Sequence, residues 1–433
     1  MNNRPKASIA LAAAVAMTLV SATSSAQEAE QGLDYSLRAG VGHTDNLGRD
    51  ENNPVDSVFY SLGGTLRYFN QQGRVDSDIS LDLDWQDYDA QGYDSQLWGN
   101  ARARVNYSFV PDRLVWVFQN DFGQGNRNPI ESASPDNVEN INYFTTGPEW
   151  TVRLGDAMGA TLDAKYSNVW YEDSPNNSDR YSGGLMLFRD LSSAARAYLR
   201  ANYEDVQFDS GALAPDFTQT DLLAGYNNQG ARTRILAEAG YSELETDAGT
   251  QDGPMFRLNV DHDLTAALRA QLRLGQEFND AARDIRSQGD FGTDPNGVLS
   301  DGQAYEDRYA EVVLRFNKSR TEISGGVRYN DQDYVSEDDL DRERLEFNAR
   351  LQRRVGRDWT AYLDAQYESV DYAINDAVDY DETELGAGVG WTPTQKLSFN
   401  LMYRYRTRPN SSVNSFDENF VWLRADWSPG GRR

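Results

Sequence analysis

Along most of this chain apolar residues fall at every second position. In 345–367, Leu345, Phe347, Ala349 and Leu351 alternate with Glu346, Asn348, Arg350 and Gln352. A turn at Val355, Gly356, Arg357 and Asp358 follows, and then Trp359, Ala361, Leu363, Ala365 and Tyr367 alternate with Thr360, Tyr362, Asp364 and Gln366. A period of two sends successive side chains to opposite faces of a strand, so this stretch predicts a β-hairpin with one apolar and one charged face. A soluble sandwich of this length would also need long, continuously hydrophobic inner strands, and none appear. The alternative sets the apolar face in lipid and the charged face around an aqueous lumen, the pattern of a transmembrane β-barrel.

The unit recurs from end to end. Tight turns are predicted at Asn70 to Gly73, Val110 to Arg113, Gly155-Asp156, Leu191 to Ser193, Asn228 to Gly230, Asp263 to Thr265, Asn317 to Ser319 and Thr392 to Gln395. Longer stretches rich in Asn, Asp, Gly and Pro lie between them, the longest being 124–138 and 280–302. Short and long connections therefore alternate, as in outer-membrane barrels whose short turns face the periplasm and long loops face outside. The expected fold is all-β: a single-domain antiparallel up-and-down barrel of about 20 strands, with about 18 as the fallback. The stretch 141–154, which contains Pro148, reads as the least regular strand.

Composition narrows the class further. The 433 residues carry a net charge of -27, no cysteine, 24 Tyr and 9 Trp. So many aromatics do not fit a disordered acidic chain, but they suit two membrane interfaces lined by amphipathic rings. An acidic balance argues against nucleic acid, whose phosphates require clustered Lys and Arg. Residues 1–26 read as a signal peptide, with Arg4 and Lys6 before an apolar run and Ser24-Ser25-Ala26 as a small-residue cleavage site. The barrel is then assigned to 27–433, exported through a Gram-negative periplasm to the outer membrane.

The polar phase defines the expected lumen. It carries mixed charge: Arg102, Arg104, Arg234, Arg269, Arg273, Arg350 and Arg404 against Asp82, Asp84, Glu277, Glu346 and Asp364. A dry interior could hold so many ions only if each were paired, so a hydrated lumen is expected. If 75–85 and 97–107 form neighbouring strands, the carboxylates of the first, Asp76, Asp78, Asp82 and Asp84, are expected to lie opposite Arg102 and Arg104 of the second. About 20 strands at roughly 4.8 Å spacing and about 40° tilt give a backbone diameter of roughly 40 Å, enough for a hydrated polymer or small solutes. The 280–302 stretch is expected to be a simple exposed loop; folded inward, it would instead form a constriction. Trp98, Tyr198, Tyr362 and Trp422 also fall on the polar phase. Rings there can stack on sugar faces while neighbouring charges bind hydroxyls, or can simply pack against one another.

Chemistry is not indicated. His43 and His262 are the only histidines and belong to opposite ends of such a barrel, which leaves little for a metal site or a Ser-His arrangement. A rim site of His43 with Asp45 and a serine is the strongest catalytic alternative, and a surface histidine is the simpler reading. The carboxylates Glu337, Asp338, Asp339 and Asp341 lack the spacing of a calcium loop. No metal, cofactor or catalytic residue is therefore expected.

The opening Gly40, Val41, Gly42, His43, Thr44, Asp45, Asn46 and Leu47, a first strand running into an Asp-Asn pair, resembles the start of outer-membrane barrels grouped as β-barrel porin 2. It also resembles barrels that accompany exopolysaccharide-export systems. That likeness implies a passive polysaccharide conduit served by periplasmic export components. A diffusion porin for small solutes and a closed structural or adhesion barrel are the alternatives. Outer-membrane lipids and the barrel-insertion machinery are the expected partners, the latter because Phe420 to Trp427 resembles a terminal insertion strand, although Ser428 to Arg433 extends past its aromatic. The sequence leaves the oligomeric state open.

Overall fold

The computed structural model describes residues 31–128, 130–209, 214–247, 249–287, 302–336, 338–374, 378–409 and 415–430. The signal-peptide assignment at 1–26 lies outside them.

Twenty strands close one antiparallel barrel, matching the expected count rather than the fallback. They begin β1 (Gln31–Thr44), β2 (Ser57–Asn70), β3 (Val75–Tyr88), β4 (Gln96–Val110) and β5 (Leu114–Asn126). β6 (Val138–Arg153), β7 (Met158–Tyr171), β8 (Ser178–Asp190), β9 (Ala195–Phe208) and β10 (Phe217–Gln229) follow. Next come β11 (Thr233–Thr246), β12 (Gly249–Asp263), β13 (Leu268–Asp280), β14 (Ala304–Lys318) and β15 (Thr321–Tyr334). The circuit ends with β16 (Arg342–Val355), β17 (Trp359–Tyr372), β18 (Tyr380–Trp391), β19 (Leu397–Arg408) and β20 (Phe416–Trp427). Each strand pairs with its sequence neighbours, and β1 pairs with β20 from Leu37–Trp427 to Thr44–Phe420 to seal the ring. Closure satisfies every edge, which a strand in hydrocarbon requires.

Alternation fixes which face looks where. Leu62, Leu199 and Leu363 point outward with more than half their surface open, whereas Glu346, Glu368 and Asp121 are buried against the inner wall. At the short-turn end, outward Trp359 stacks on Trp391 at 6.0 Å and Trp391 on Phe399 at 5.6 Å. Toward the long-loop end, outward Tyr166, Tyr329, Tyr367 and Tyr405 donate hydroxyl hydrogen bonds to Asp179, Glu343, Asp381 and Asp417 at 2.7, 3.0, 2.7 and 2.7 Å. Each ring keeps its body beside the apolar band and its hydroxyl among polar groups, as an interfacial aromatic must.

Two features depart from the sequence expectation, and one irregularity falls where it was expected. The β11–β12 connection, from Thr246 to Gly249, is tight although it lies on the long-loop side, so the alternation of short and long connections is broken there. β6 is irregular as expected: it is continuous against β5, but its ladder to β7 is interrupted between Thr146 and Glu149, where Pro148 has no N–H to give. The second departure is the 280–302 stretch. Its first residues form a short helix, α1 (Ala281–Ser287), folded into the barrel mouth, and residues 288–301 lie outside the described part.

Candidate functional site

α1 is drawn inward by an apolar stripe. Ala281, Ala282 and Ile285 pack on Ile141, Tyr143, Val169 and Tyr171, inner-face residues of β6 and β7. Spacing of one and four residues puts the three side chains on one helical face. β13 prepares this by leaving the wall: its ladder to β12 stops at Phe256–Gln276, while its pairing to β14 runs on to Asp280–Ala304. The tip is then pinned across the lumen. Asp280 accepts both terminal nitrogens of Arg180 on β8, each at 2.9 Å, and Arg283 binds Glu204 on β9. Arg102 on β4 donates to the backbone carbonyl of Arg286 at 3.1 Å.

The charges of α1 are set by its enclosure. Burial pushes the Asp284 carboxyl above the usual carboxylate range, against the opposing hydrogen bonds from Tyr305 and Asn279. Burial works against the charge of Arg283 too, but Glu204 and Asp280 beside it hold the guanidinium above its usual value.

A second inward segment closes over the other side of the mouth. In the β5–β6 connection, Ser132 accepts from Arg49 at 3.1 Å and donates to Glu382 on β18 at 3.3 Å, and the carbonyl of Ile130 accepts from Arg408 on β19 at 2.9 Å. Arg49 reaches Glu418 on β20 at 3.1 Å, so the β1–β2 connection is tied over the β1–β20 seam as well. Burial opposes the Arg49 charge, while Glu418 and Glu382 hold its guanidinium above the ordinary value.

Below these segments the described residues line two lumenal cavities, among others. One, about 960 Å³, is lined from β1–β4 round to β15–β20 and receives Trp98, Tyr362 and Trp422 together with Asp82, Asp84, Arg350, Asp364 and Arg404. The other, about 850 Å³, lies against β4–β15 and receives Arg104, Arg273 and Glu277 as well as Arg283, Asp284 and Arg286 of α1. Three of the four aromatics singled out by sequence therefore share one cavity. Tyr362 sits near the short-turn end of β17, Trp422 midway along β20 and Trp98 near the loop end of β4. Tyr198 stands apart just above the β8–β9 turn, donating to Glu238 at 2.6 Å.

The rings lie flat on the wall because glycines make room for them. Tyr362 is opposite Gly388 and Tyr198 opposite Gly225. A Cβ built on either glycine would come within 2.2 Å of the facing ring. Tyr309 on Gly275, Phe188 on Gly159 and Phe59 on Gly42 repeat the arrangement. Trp422 lies over Gly40, with its Nε1 donating to Ser61 at 3.2 Å, and Trp98 Nε1 donates to Tyr88 at 2.9 Å. Guanidiniums sit beside two of the rings, Arg350 at 5.1 Å from Tyr362 and Arg424 at 5.2 Å from Trp422.

The charged positions face inward as alternation required, but several pair differently. Asp78 lies opposite Arg104 as expected, but Arg102 faces Ser80, Asp82 lies opposite Asn100 and Asp84 opposite Trp98. Both carboxylates instead hold Arg38 on β1, with Asp84 accepting from its Nε at 2.7 Å, and Arg102 binds Asp121 on β5 at 2.9 Å. Arg273 meets Glu311 at 2.9 Å, Arg350 meets Asp364 at 3.1 Å and Arg404 meets Glu384 at 2.8 Å. Glu277 holds Arg257 and accepts from Tyr309 at 3.0 Å, and Glu346 faces Arg344 at 3.6 Å. Arg234 and Arg269 bind Asp261 and Asp263 close to the short-turn rim, at 3.5 and 2.7 Å. Sequence reasoning missed Arg38 and Glu384, although each sits on the polar phase of its strand and the same alternation would have found it.

The histidines stay separate. His43 meets Asp56 at 3.0 Å at the rim, while Asp45 is engaged by Asn419, and His262 meets Thr233 at 2.8 Å near the opposite end. The His43–Asp45–serine arrangement is not formed.

No protein-family model matches the chain, and no curated protein does. Among solved structures, the chain is similar to a mutant of the ferric enterobactin receptor PfeA from Pseudomonas aeruginosa, at 9% identity and a TM-score of 0.47, covering 92% of this chain and 81% of that one. It is similar to the siderophore receptor PirA from Acinetobacter baumannii at 8% identity and a TM-score of 0.47, covering 94% and 81%. For OccAB3 from Acinetobacter baumannii the values are 11%, 0.38, 92% and 98%.

Proposed function

We propose that this barrel is an outer-membrane conduit through which a saccharide chain passes, most simply an exported polysaccharide. The observation that carries this reading is the cavity shared by Trp98, Tyr362 and Trp422. The rings stand at different heights along the wall, with Tyr362 and Trp422 laid on glycines. Such rings offer flat apolar faces to sugar rings, while ion-paired Arg and carboxylate groups between them leave spare donors and acceptors for hydroxyls. No step of chemistry is required of the barrel, so any driving force comes from periplasmic partners. The test is secretion of polymer by a strain whose chromosomal copy carries Trp98→Ala and Tyr362→Ala, with barrel abundance in the outer membrane as control. Loss of secreted polymer at normal abundance is expected; unchanged secretion contradicts the reading.

A second reading, diffusion of small solutes, is favoured by one feature. α1 and the β5–β6 connection fold over the mouth and narrow it. Under this reading a strain deleted for the barrel secretes polymer normally but takes up small polar solutes slowly.

A further inference from the structure

We infer that the cavity around Trp98, Tyr362 and Trp422 selects an uncharged glycan and discriminates against an acidic one. The inference rests on the saccharide reading above and specifies the chemistry of its ligand.

The argument is the pairing state of the guanidiniums. An arginine that is to bind a uronate, sulfate or phosphate on a sugar must have its fork open, because the bidentate geometry that gives such contacts their strength uses two adjacent N–H groups. Among the described residues, each arginine lining this cavity already has a protein carboxylate at ion-pair distance. Arg38 holds Asp82 and Asp84, and Arg49 holds Glu418 at 3.1 Å. Arg350 holds Asp364 at 3.1 Å and Arg404 holds Glu384 at 2.8 Å. Arg406 holds Glu384 and Glu418, and Arg424 holds Asp426 at 3.3 Å. An anionic sugar would have to displace a protein carboxylate or lie beside one, and either costs affinity. A neutral hydroxyl faces no such competition. It can take a leftover guanidinium N–H or a free carboxylate lone pair while the pair stays intact.

The second cavity provides the contrast within the same barrel. Among the described residues, Arg104, Arg200 and Arg328 line it without a carboxylate at ion-pair distance; Arg200 and Arg328 donate to Asn202 and Asn330 at 2.6 and 2.7 Å. Among the described residues, guanidiniums without a carboxylate neighbour are thus present in the lumen, but not beside the three rings. A volume of about 960 Å³ lies at the upper end of the roughly 300–1,000 Å³ typical of ligand sites, so a run of several sugar units fits.

The experiment is single-channel recording of the refolded barrel in planar bilayers, with a neutral gluco-oligosaccharide and a galacturonic-acid oligomer of equal length as blockers. Block by the neutral oligomer at a concentration about tenfold or more below that needed for the acidic one is expected. Asp364→Asn opens the fork of Arg350, and in that variant the acidic oligomer should block at a lower concentration than it needs in the unmodified barrel. Equal or tighter block of the unmodified barrel by the acidic oligomer overturns the inference and leaves the conduit reading standing. Conductance steps that neither oligomer blocks overturn both. Failure of Asp364→Asn to improve acidic block overturns the role given to ion pairing.

Discussion

Arg180 and Asp280 form a two-pronged ion pair, both bonds 2.9 Å, between the inner face of β8 and the last residue of β13. Both side chains are almost wholly removed from solvent, at 1% and 0% exposure, and they are 100 positions apart in sequence. The bond fastens the inward-turned tip of β13, and α1 with it, to the far wall.

Removing one partner of such a pair strands a buried charge. Asp280→Asn is therefore expected to lower stability by about 3–5 kcal/mol, whereas Arg180→Met with Asp280→Leu should cost much less. Urea unfolding followed by tryptophan fluorescence gives the comparison. The single variant should also release α1, seen as faster amide hydrogen exchange over 281–287 than over β13 itself.

The raised Asp284 pKa makes the docking of α1 pH-dependent with a definite sign. The folded state favours the protonated carboxyl, so its contribution is most favourable below the unfolded carboxylate value of about 3.9 and is lost as pH rises through the raised folded value. Hydrogen exchange in α1 should quicken as pH climbs through that window, after correction for intrinsic rates. Asp284→Asn should flatten the change, and an identical profile in the variant would exclude this carboxyl as the cause.

The glycine beneath Tyr362 holds the ring against the wall. In Gly388→Ala the new methyl would meet the ring terminus at 2.2 Å. A ring terminus can swing, so the stability loss should fall at the low end of the roughly 1–3 kcal/mol usual for overpacking. The ring should tilt into the cavity and weaken block by a neutral oligosaccharide by about two- to tenfold. Gly240→Ala, whose methyl would meet the backbone carbonyl of Leu222 at 1.9 Å, should destabilise the wall instead.

The sequence has no cysteine, so facing can be read by labelling alone. With Leu363→Cys and Asp364→Cys, a membrane-impermeant maleimide applied to the barrel in lipid should modify residue 364 through the lumen and spare residue 363. The reverse result would invert the assignment of faces.

The fold was legible because one rule operates throughout. Period-two alternation, as in Leu345 to Gln352, fixes both element type and facing, and the tight turns set the strand count. The residues around the rings were legible for the same reason, since Trp98, Tyr362 and Trp422 share the inward phase. What alternation cannot supply is register and long-range contact. The placement of Asp82 opposite Asn100 depends on how β3 and β4 slide, and the Arg38 contact depends on a strand beyond both. α1 was hidden for a different reason. The stretch 280–302 is as polar as an exposed loop, and only Ala281, Ala282 and Ile285 at helical spacing hint at an inward face. The glycine seats were readable in principle, as inward-phase glycines one strand away from inward-phase aromatics, but only once register is known.

The central claim is that the lumen is a hydrated path lined for sugar, and ion conductance of the refolded barrel in a planar bilayer tests it most directly. The account predicts discrete conductance steps that a neutral oligosaccharide blocks, with the block weakened by Trp98→Ala, Tyr362→Ala or Trp422→Ala. Silence under every condition, or steps that sugars leave untouched, would contradict it.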